Sequence, residues 1–334
     1  MSVLSRSALA RVVPALLIST LALTGCASLS LTGATPTATV NPDAPVTVDN
    51  CGTEVTFDEA PERVVTIKST STEMLLALGL GDRIVGTGFQ DGPVPEKWAD
   101  DAAALVSLSD KVPSEEVVLE TEPDLVYAGW ESNFSAEGAG ERPELESLGV
   151  HTYVSPSACQ SANQPAKLTF DNIFDDITEV ASIFRVDATE LIAGQREQLA
   201  ELKAGGDAGL GRTALWYSSG SDTPYVGAGI GAPELVLETL GLENIAGDVD
   251  ATWAPLSWEA VVDGNPYYIV LVDAAWNTAE SKIALLEGNP ATANLTAVQQ
   301  GRYLIVPFAA SEAGVRTVDT VVDLREQMTL LDGP

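Results

Sequence analysis

The sequence predicts an α/β protein of two lobes, each with a central, mainly parallel sheet, joined by a single long helical crossover. Three observations predict it. Short β-branched runs alternate with helical segments, the pattern of a parallel sheet covered by helices. They fall at Val64–Ile67, 84–87, Leu125–Ala128 and 150–154 in one half, and at 213–217, 268–272 and 303–306 in the other. A motif also occurs twice. Ser114-Glu115-Glu116-Val117-Val118-Leu119-Glu120-Thr121-Glu122-Pro123 leads into Leu125, and Ser257-Trp258-Glu259-Ala260-Val261-Val262-Asp263-Gly264-Asn265-Pro266 leads into Tyr268. Between the halves, Ile173, Ile177, Val180, Ala181 and Phe184 recur at helical spacing. A second helical stretch begins at Thr189, runs through Leu191, Leu199 and Leu202, and ends at Gly205-Gly206.

In chain order, residues 1–26 carry Arg6 and Arg11, no acid, and an uncharged stretch over 12–23 interrupted by Pro14. That stretch is too short for a membrane anchor and reads as a signal-peptide core. It ends in Leu23-Thr24-Gly25-Cys26, which resembles the lipobox of bacterial lipoproteins and implies acylation of the Cys26 thiol. Residues 27–45 are rich in Ser, Thr, Ala and Pro, with Asp43 the only charge, and form a flexible tether. The first lobe then spans 46–165, the linking helix 166–205 and the second lobe 206–334. Val46-Thr47-Val48-Asp49 and Thr53–Phe57 alternate apolar with polar residues around Asn50-Cys51-Gly52, a β-hairpin. Once Cys26 is acylated, Cys51 and Cys159 remain as a pair in an oxidising compartment, and a disulfide is favoured over two buried thiols. Gly79 and Gly241 each stop a leucine-rich helix, and a last helix closes the chain over 317–331.

Composition narrows the function. The 334 residues hold 48 Asp and Glu against 17 Lys and Arg, a formal charge of −31. So few and dispersed cations exclude a nucleic-acid binder and a basic patch for anionic lipid. His151 is the single histidine. A multi-His metal site and a histidine-dependent triad are therefore out, and G-x-S-x-G, H-E-x-x-H and P-loop motifs are missing from the chain. An enzyme is the poorer reading, and no cofactor or metal is called for. His151 itself reads as a strand residue. Gly227-Ala228-Gly229-Ile230-Gly231-Ala232 matches a dinucleotide fingerprint, but only the short Pro224-Tyr225-Val226 precedes it. It is read as a decoy.

The order of hairpin, Pro61-Glu62-Arg63-Val64-Val65, Ser/Thr-rich turn, Leu75-Leu76-Ala77-Leu78-Gly79-Leu80 and the Ser114–Pro123 motif resembles the substrate-binding proteins of ABC importers for iron–siderophores and cobalamin. The resemblance covers roughly residues 46–331. It implies two Rossmann-like lobes bridged by a single long, rigid α-helix, a small-molecule ligand held between them with only slight closure, no chemistry, and delivery to the permease dimer of an ABC importer. It also implies a monomer outside the cytoplasm, anchored through Cys26 to the outer face of the membrane or periplasmic. In that family one surface Glu per lobe docks on the permease, and Glu116 and Glu259 occupy the matching positions. Each also has a plain reading as an acid in the first turn of a helix capped by Ser114 or Ser257. Leu108-Ser109-Asp110-Lys111-Val112-Pro113 and Tyr127-Ala128-Gly129-Trp130-Glu131-Ser132-Asn133-Phe134 look like an actinobacterial subgroup proposed to carry a deazaflavin coenzyme precursor, the alternative ligand.

Ligands of such sheets bind at the C-terminal ends of the strands. That rule selects Lys68, Ser69, Thr70, Phe89, Gln90, Lys111, Trp130 and Asn133 in the first lobe. In the second it selects Tyr217, Ser218, Trp253, Trp276, Phe308 and Arg316. The aromatic members suit stacking, and Lys68, Lys111 and Arg316 suit an anionic ligand; core aromatics and solvated charges are the plain alternative. Thr70-Ser71-Thr72-Glu73 fits a capping box, which makes Glu73 structural.

Overall fold

The computed structural model describes residues 44–160 and 164–333. The signal peptide, Cys26 and nearly all of the tether lie outside the described residues. A hairpin opens the fold: β1 (Val46–Asn50) pairs antiparallel with β2 (Thr53–Phe57). Cys51 and Gly52, the two residues between them, both have positive φ (54° and 79°). That is the two-residue turn whose twist matches a hairpin.

The first lobe contains β3 (Val64–Ile67), β4 (Ile84–Gly88), β5 (Ser107–Ser109), β6 (Leu125–Ala128) and β7 (His151–Val154). Their order is β5-β4-β3-β6-β7, and every pairing is parallel. The central strands β3 and β6 are buried at every residue, as continuous apolar runs require when both faces are covered. The second lobe contains β8 (Thr213–Ser219), β9 (Tyr225–Gly227), β10 (Glu243–Asn244), β11 (Trp253–Pro255), β12 (Tyr268–Asp273) and β13 (Tyr303–Pro307). They run β11-β9-β8-β12-β13, with β10 beside β8. Here β8, β10, β12 and β13 are parallel, whereas β9 and β11 pair antiparallel.

The linking segment differs from the single helix expected. It is two helices, Phe170–Ile183 and Thr189–Ala204. The first starts in a reciprocal cap, with Thr169 Oγ1 accepting from Asn172 N (3.2 Å) and Asn172 Oδ1 from Thr169 N (3.0 Å). It ends at Arg185, which sits at φ 56° while Val186 N donates back to Ala181 O (2.9 Å). A left-handed residue with that hydrogen bond terminates a helix. Asp187 Oδ1 then accepts from Thr189 N (2.8 Å) and starts the second helix.

The lobes share apolar core. Met74 and Leu75 of the first lobe, Ile173 and Ile177 of the link, and Ala232, Leu235, Val315 and Val318 of the second lobe form one buried cluster. The helix Ser69–Ala77 is buried from Ser69 through Leu76 because it runs through this shared layer. Cys51 and Cys159 are disulfide-bonded, tying the hairpin to the segment after β7. Asn50 reinforces the tie, donating from Nδ2 to Val154 O (2.7 Å) and accepting at Oδ1 from Val154 N (2.8 Å).

Candidate functional site in the cleft between the lobes

Three parallel strands of the first lobe deliver the centre of the cleft. Lys68 follows β3, Phe89 follows β4, and Gly129-Trp130 follows β6. Lys68 has φ 81° and ψ 151°, and Phe89 has φ 50°. Such backbone costs roughly 1–3 kcal/mol per residue and persists only where the surroundings over-determine it. Here Lys68 N donates to Gly88 O and Phe89 N to Ser109 O, both at 3.0 Å, so the sheet pairing holds both residues. The result is a fully buried Lys68 whose ammonium lies 3.8 Å from the Trp130 ring centroid and 4.6 Å from those of Phe89 and Phe308. Three ring faces around one cation are mutually attractive. Asp91 completes the box with an ion pair to Lys68, and is itself held by Ser69, whose Oγ accepts from Asp91 N (2.9 Å). Phe308 brings the second lobe into this box. Trp276 meets Phe308 edge-on at 5.9 Å and is 65% exposed at the rim.

A second ion pair crosses the cleft beside it. Arg316 Nη1 lies 3.1 Å from Glu73 Oε1, and the Glu73 side chain is 2% exposed. The capping box expected at Thr70–Glu73 does not form. The helix begins at Ser69 with Lys68 in the cap position, so Glu73 stands too far along to reach back to it. Burial raises the Glu73 carboxyl to about 7, with Arg316 opposing. A third carboxyl, Glu312, accepts at Oε1 from Trp130 Nε1 (2.5 Å). Burial raises it to about 7 as well, with Lys68 opposing.

Next to these groups lies a cavity of about 100 Å³. Thr70, Gly129 and Trp130 line it from the first lobe, Ser157, Cys159, Gln160, Gln164 and Leu168 from the approach to the link, and Ile230, Gly231, Thr252, Trp253 and Glu312 from the second lobe. Gly129 is needed for its size: a Cβ there would lie 2.5 Å from Thr70 Oγ1 and 2.7 Å from Lys68 Cβ. Among the described residues, Thr70 Oγ1 and Glu312 Oε2 are shielded from solvent and have no hydrogen-bond partner. Both belong to the cavity wall, one from each lobe.

Of the residues selected from sequence, Thr70, Trp130 and Trp253 line the cavity, while Lys68, Ser69, Phe89, Phe308 and Trp276 build or border the aromatic box. Asn133 acts indirectly: its Oδ1 accepts from Trp130 N (3.1 Å) and fixes the turn that presents Trp130. Gln90 Nε2 donates to Gly88 O (3.0 Å). Tyr217 belongs to the second-lobe core instead, its ring against Trp258 and its hydroxyl donating to Gly220 O (2.7 Å). Its buried neighbour Ser218 is also outside the cavity lining. Lys111 is exposed on the loop after β5 and lines nothing here. Arg316 is paired with Glu73.

Sequence reasoning missed Asp91, Glu312 and the wall made by Ser157, Gln160, Gln164 and Leu168. Asp91 was within reach, two residues past a selected Phe89 in a turn. Glu312 carries no local signal that separates it from the many surface acids. The glycine-rich turn does reach the cleft through Ile230 and Gly231, but β9 before it runs antiparallel to β8. That is not the strand–helix crevice a dinucleotide needs. His151 stays a strand residue, with Nδ1 3.3 Å from Glu146 and its ring 5.1 Å from Phe57.

Glu116 and Glu259 occupy equivalent places. Each is the exposed second residue of a helix, Glu115–Leu119 or Trp258–Gly264. Each helix is capped by a serine, Ser114 Oγ accepting from Val117 N (3.4 Å) and Ser257 Oγ from Ala260 N (3.1 Å). Each leads into an interior strand of its sheet, β6 or β12.

Comparison with known proteins agrees with this architecture. Residues 64–310 match the family model described as periplasmic binding protein. An uncharacterized ABC transporter substrate-binding lipoprotein of Bacillus subtilis, YvrC, is 24% identical over 302 residues, 85% of either chain. A vitamin B12-binding protein of Yersinia pestis is 26% identical over 64% of this chain and 70% of its own. Among solved structures, a periplasmic binding protein from Veillonella parvula superposes with TM-score 0.75 at 29% identity, covering 85% of this chain and 97% of that one. An ABC-type Fe3+-hydroxamate transport protein from Saccharomonospora viridis does so with TM-score 0.71 at 26% identity, over 87% and 100%. A two-lobed α/β body with its cavity at the strand ends between the lobes, matched over most of its length by this family, places the chain in it: the protein belongs to the periplasmic binding protein family.

Proposed function

We propose that this protein is an extracytoplasmic, lipid-anchored substrate-binding protein that delivers a small chelate or cofactor, of iron–siderophore or cobalamin type, to an ABC importer. The observation that carries this reading is the cavity walled from both lobes, with an aromatic box beside it and a shared apolar core that preforms the cleft. Affinity then comes from burial between lobes already in place, which limits the ordering cost of binding. The lipid anchor is supported by the lipobox at Cys26 and by the lipoprotein name of the Bacillus relative. Glu116 and Glu259 are the proposed contacts to a two-fold permease, one per lobe, and the protein works as a monomer.

The deazaflavin precursor is the weaker ligand. It calls for free cations in the cleft, and Lys68 and Arg316 are both paired with carboxylates. The test is thermal unfolding of the protein against ferric siderophores, cobalamin, haem and deazaflavin precursors. A ligand at 100 times its Kd adds about 2.7 kcal/mol, which is a shift of several degrees. One such shift identifies the ligand class; a flat response across the panel overturns the reading.

A further inference from the structure

The charges of the cleft do not cancel within the molecule. Lys68 is matched by Asp91 and Arg316 by Glu73, which leaves Glu312 as the carboxylate in excess. Lys167, next to the cavity wall, is engaged by Glu238 (2.6 Å) and Glu234 (3.4 Å). Glu312, which lines the cavity, uses one oxygen on Trp130, and its other oxygen is shielded from solvent without a partner among the described residues. Thr70, which also lines the cavity, is 8% exposed and its Oγ1 is likewise shielded and unpartnered. A buried polar atom left unpaired costs about 1–3 kcal/mol, more when it is charged. Two such atoms, on residues of different lobes that line one cavity, are complementary to a ligand group that donates hydrogen bonds and carries positive charge.

We propose that the cavity receives a protonated nitrogen group of the transported ligand, held between the Glu312 carboxylate and the Thr70 hydroxyl and flanked by the indoles of Trp130 and Trp253. This rests on the cleft being the binding site, and it reverses the charge expected from the sequence, where Lys68, Lys111 and Arg316 pointed to an anion. A charge-assisted bond to a carboxylate is about twice as strong as a neutral one.

The same geometry sets a pH dependence. Glu312 is raised to about 7 by burial, opposed by Lys68, while Asp91 and Glu73 push it further up and the Trp130 hydrogen bond pulls it down. Of these, Glu73 is itself paired with Arg316. Rising pH through 7 ionises Glu312, while an alkylammonium stays protonated, so cation binding strengthens.

The experiment uses the full chain and three probes of one shape: benzylammonium, benzyl alcohol and benzoate. Calorimetry and thermal shift are expected to show binding of benzylammonium alone, stronger at about pH 8 than at about pH 6. Glu312→Gln keeps an acceptor for Trp130 and is expected to weaken benzylammonium at least about tenfold, and Thr70→Val several-fold. If Glu312→Gln does not fold by circular dichroism, Thr70→Val decides. Benzoate or benzyl alcohol binding as tightly, no binding of benzylammonium, or indifference to the substitutions overturns the proposal. A chelate from the larger panel that binds while benzylammonium does not refutes the cation and leaves the transport reading standing. Benzylammonium binding with a silent panel does the reverse.

Discussion

The two lobes are alike at the helices that carry Glu116 and Glu259 and unlike at the cleft. At the former, both have a serine cap, a glutamate at the second helical position and an interior strand to follow. At the latter, the first lobe contributes strained strand ends locked by an all-parallel sheet, with Lys68 and Phe89 at positive φ. The second contributes a glycine-rich turn and the loop from Phe308 to Arg316, beside a sheet whose β9 and β11 run antiparallel. Under the proposed function the difference has a simple reason: a two-fold permease would require the same contact twice, whereas an asymmetric ligand between the lobes would require two different walls.

The largest expected effect probes an asymmetry of stability. The first lobe carries the Cys51–Cys159 bond, which closes a loop of sequence separation 108. Replacing both cysteines by Ala should cost up to ~4.7 kcal/mol on chain-entropy grounds. Hydrogen exchange should report the loss first in the hairpin and β7. Equal loss of protection in both lobes would show that the shared core makes them one cooperative unit.

Breaking the link across the cleft comes next. Arg316→Met leaves Glu73 buried without its partner and should cost roughly 3 kcal/mol near pH 8. Near pH 5 the penalty should shrink, because Glu73 takes up a proton. A penalty independent of pH would mean that Arg316 acts through packing.

A third prediction concerns the pH profile of the intact protein. Glu73, Asp176 and Glu312 are each raised by burial to about 7. A carboxyl raised on folding binds more protons in the native state. Its stabilisation is complete below the unfolded value, about 4 for Asp and Glu, and is lost as pH rises through 7. The melting temperature should therefore fall between about pH 5 and pH 8. Glu73→Gln should flatten the part of that slope that belongs to the interlobe layer, and Asp176→Asn the part at the seam where the linking helix Phe170–Ile183 meets Ser157 of the first lobe. A slope unmoved by either substitution would assign it to net charge alone.

The smallest effect on stability is expected at the matched glutamates. Glu116→Ala with Glu259→Ala should change unfolding by no more than about 0.5 kcal/mol and leave ligand affinity intact, because both side chains are exposed. Uptake into cells should nevertheless fall, and each single variant should show part of the loss. Unchanged uptake in the double variant would reduce the repeat to two well-capped helices.

Much of the fold was legible because its signals are local. β3, β6 and β12 are contiguous runs of β-branched and aromatic residues, and the hairpin has its alternation and its glycine. The strands that escaped, β5, β10 and β11, have two or three residues and too little pattern to register. The start of a second helical stretch at Thr189 was legible, but the turn that separates it from the first was not: Arg185 carries no turn signature, and its left-handed conformation is imposed by the bonds that close around it. The capping box at Thr70–Glu73 was a true local motif that lost to a tertiary contact. Asp91 and Ser69 draw the helix start back to Ser69, and Arg316 claims Glu73 across the cleft.

Order along the chain was enough for the two lobes, the hairpin and the duplicated capped helices, and it named the strand ends proposed to hold a ligand. Tertiary structure alone decided the electrical character of that site. Whether Lys68 or Arg316 is available to an anion depends on Asp91 and on Glu73, 243 positions away from Arg316 along the chain. Hydrophobic period and turn chemistry act between near neighbours and can be read along a chain. Charge pairing and desolvation act through space, and only the folded arrangement shows which carboxylate is left over.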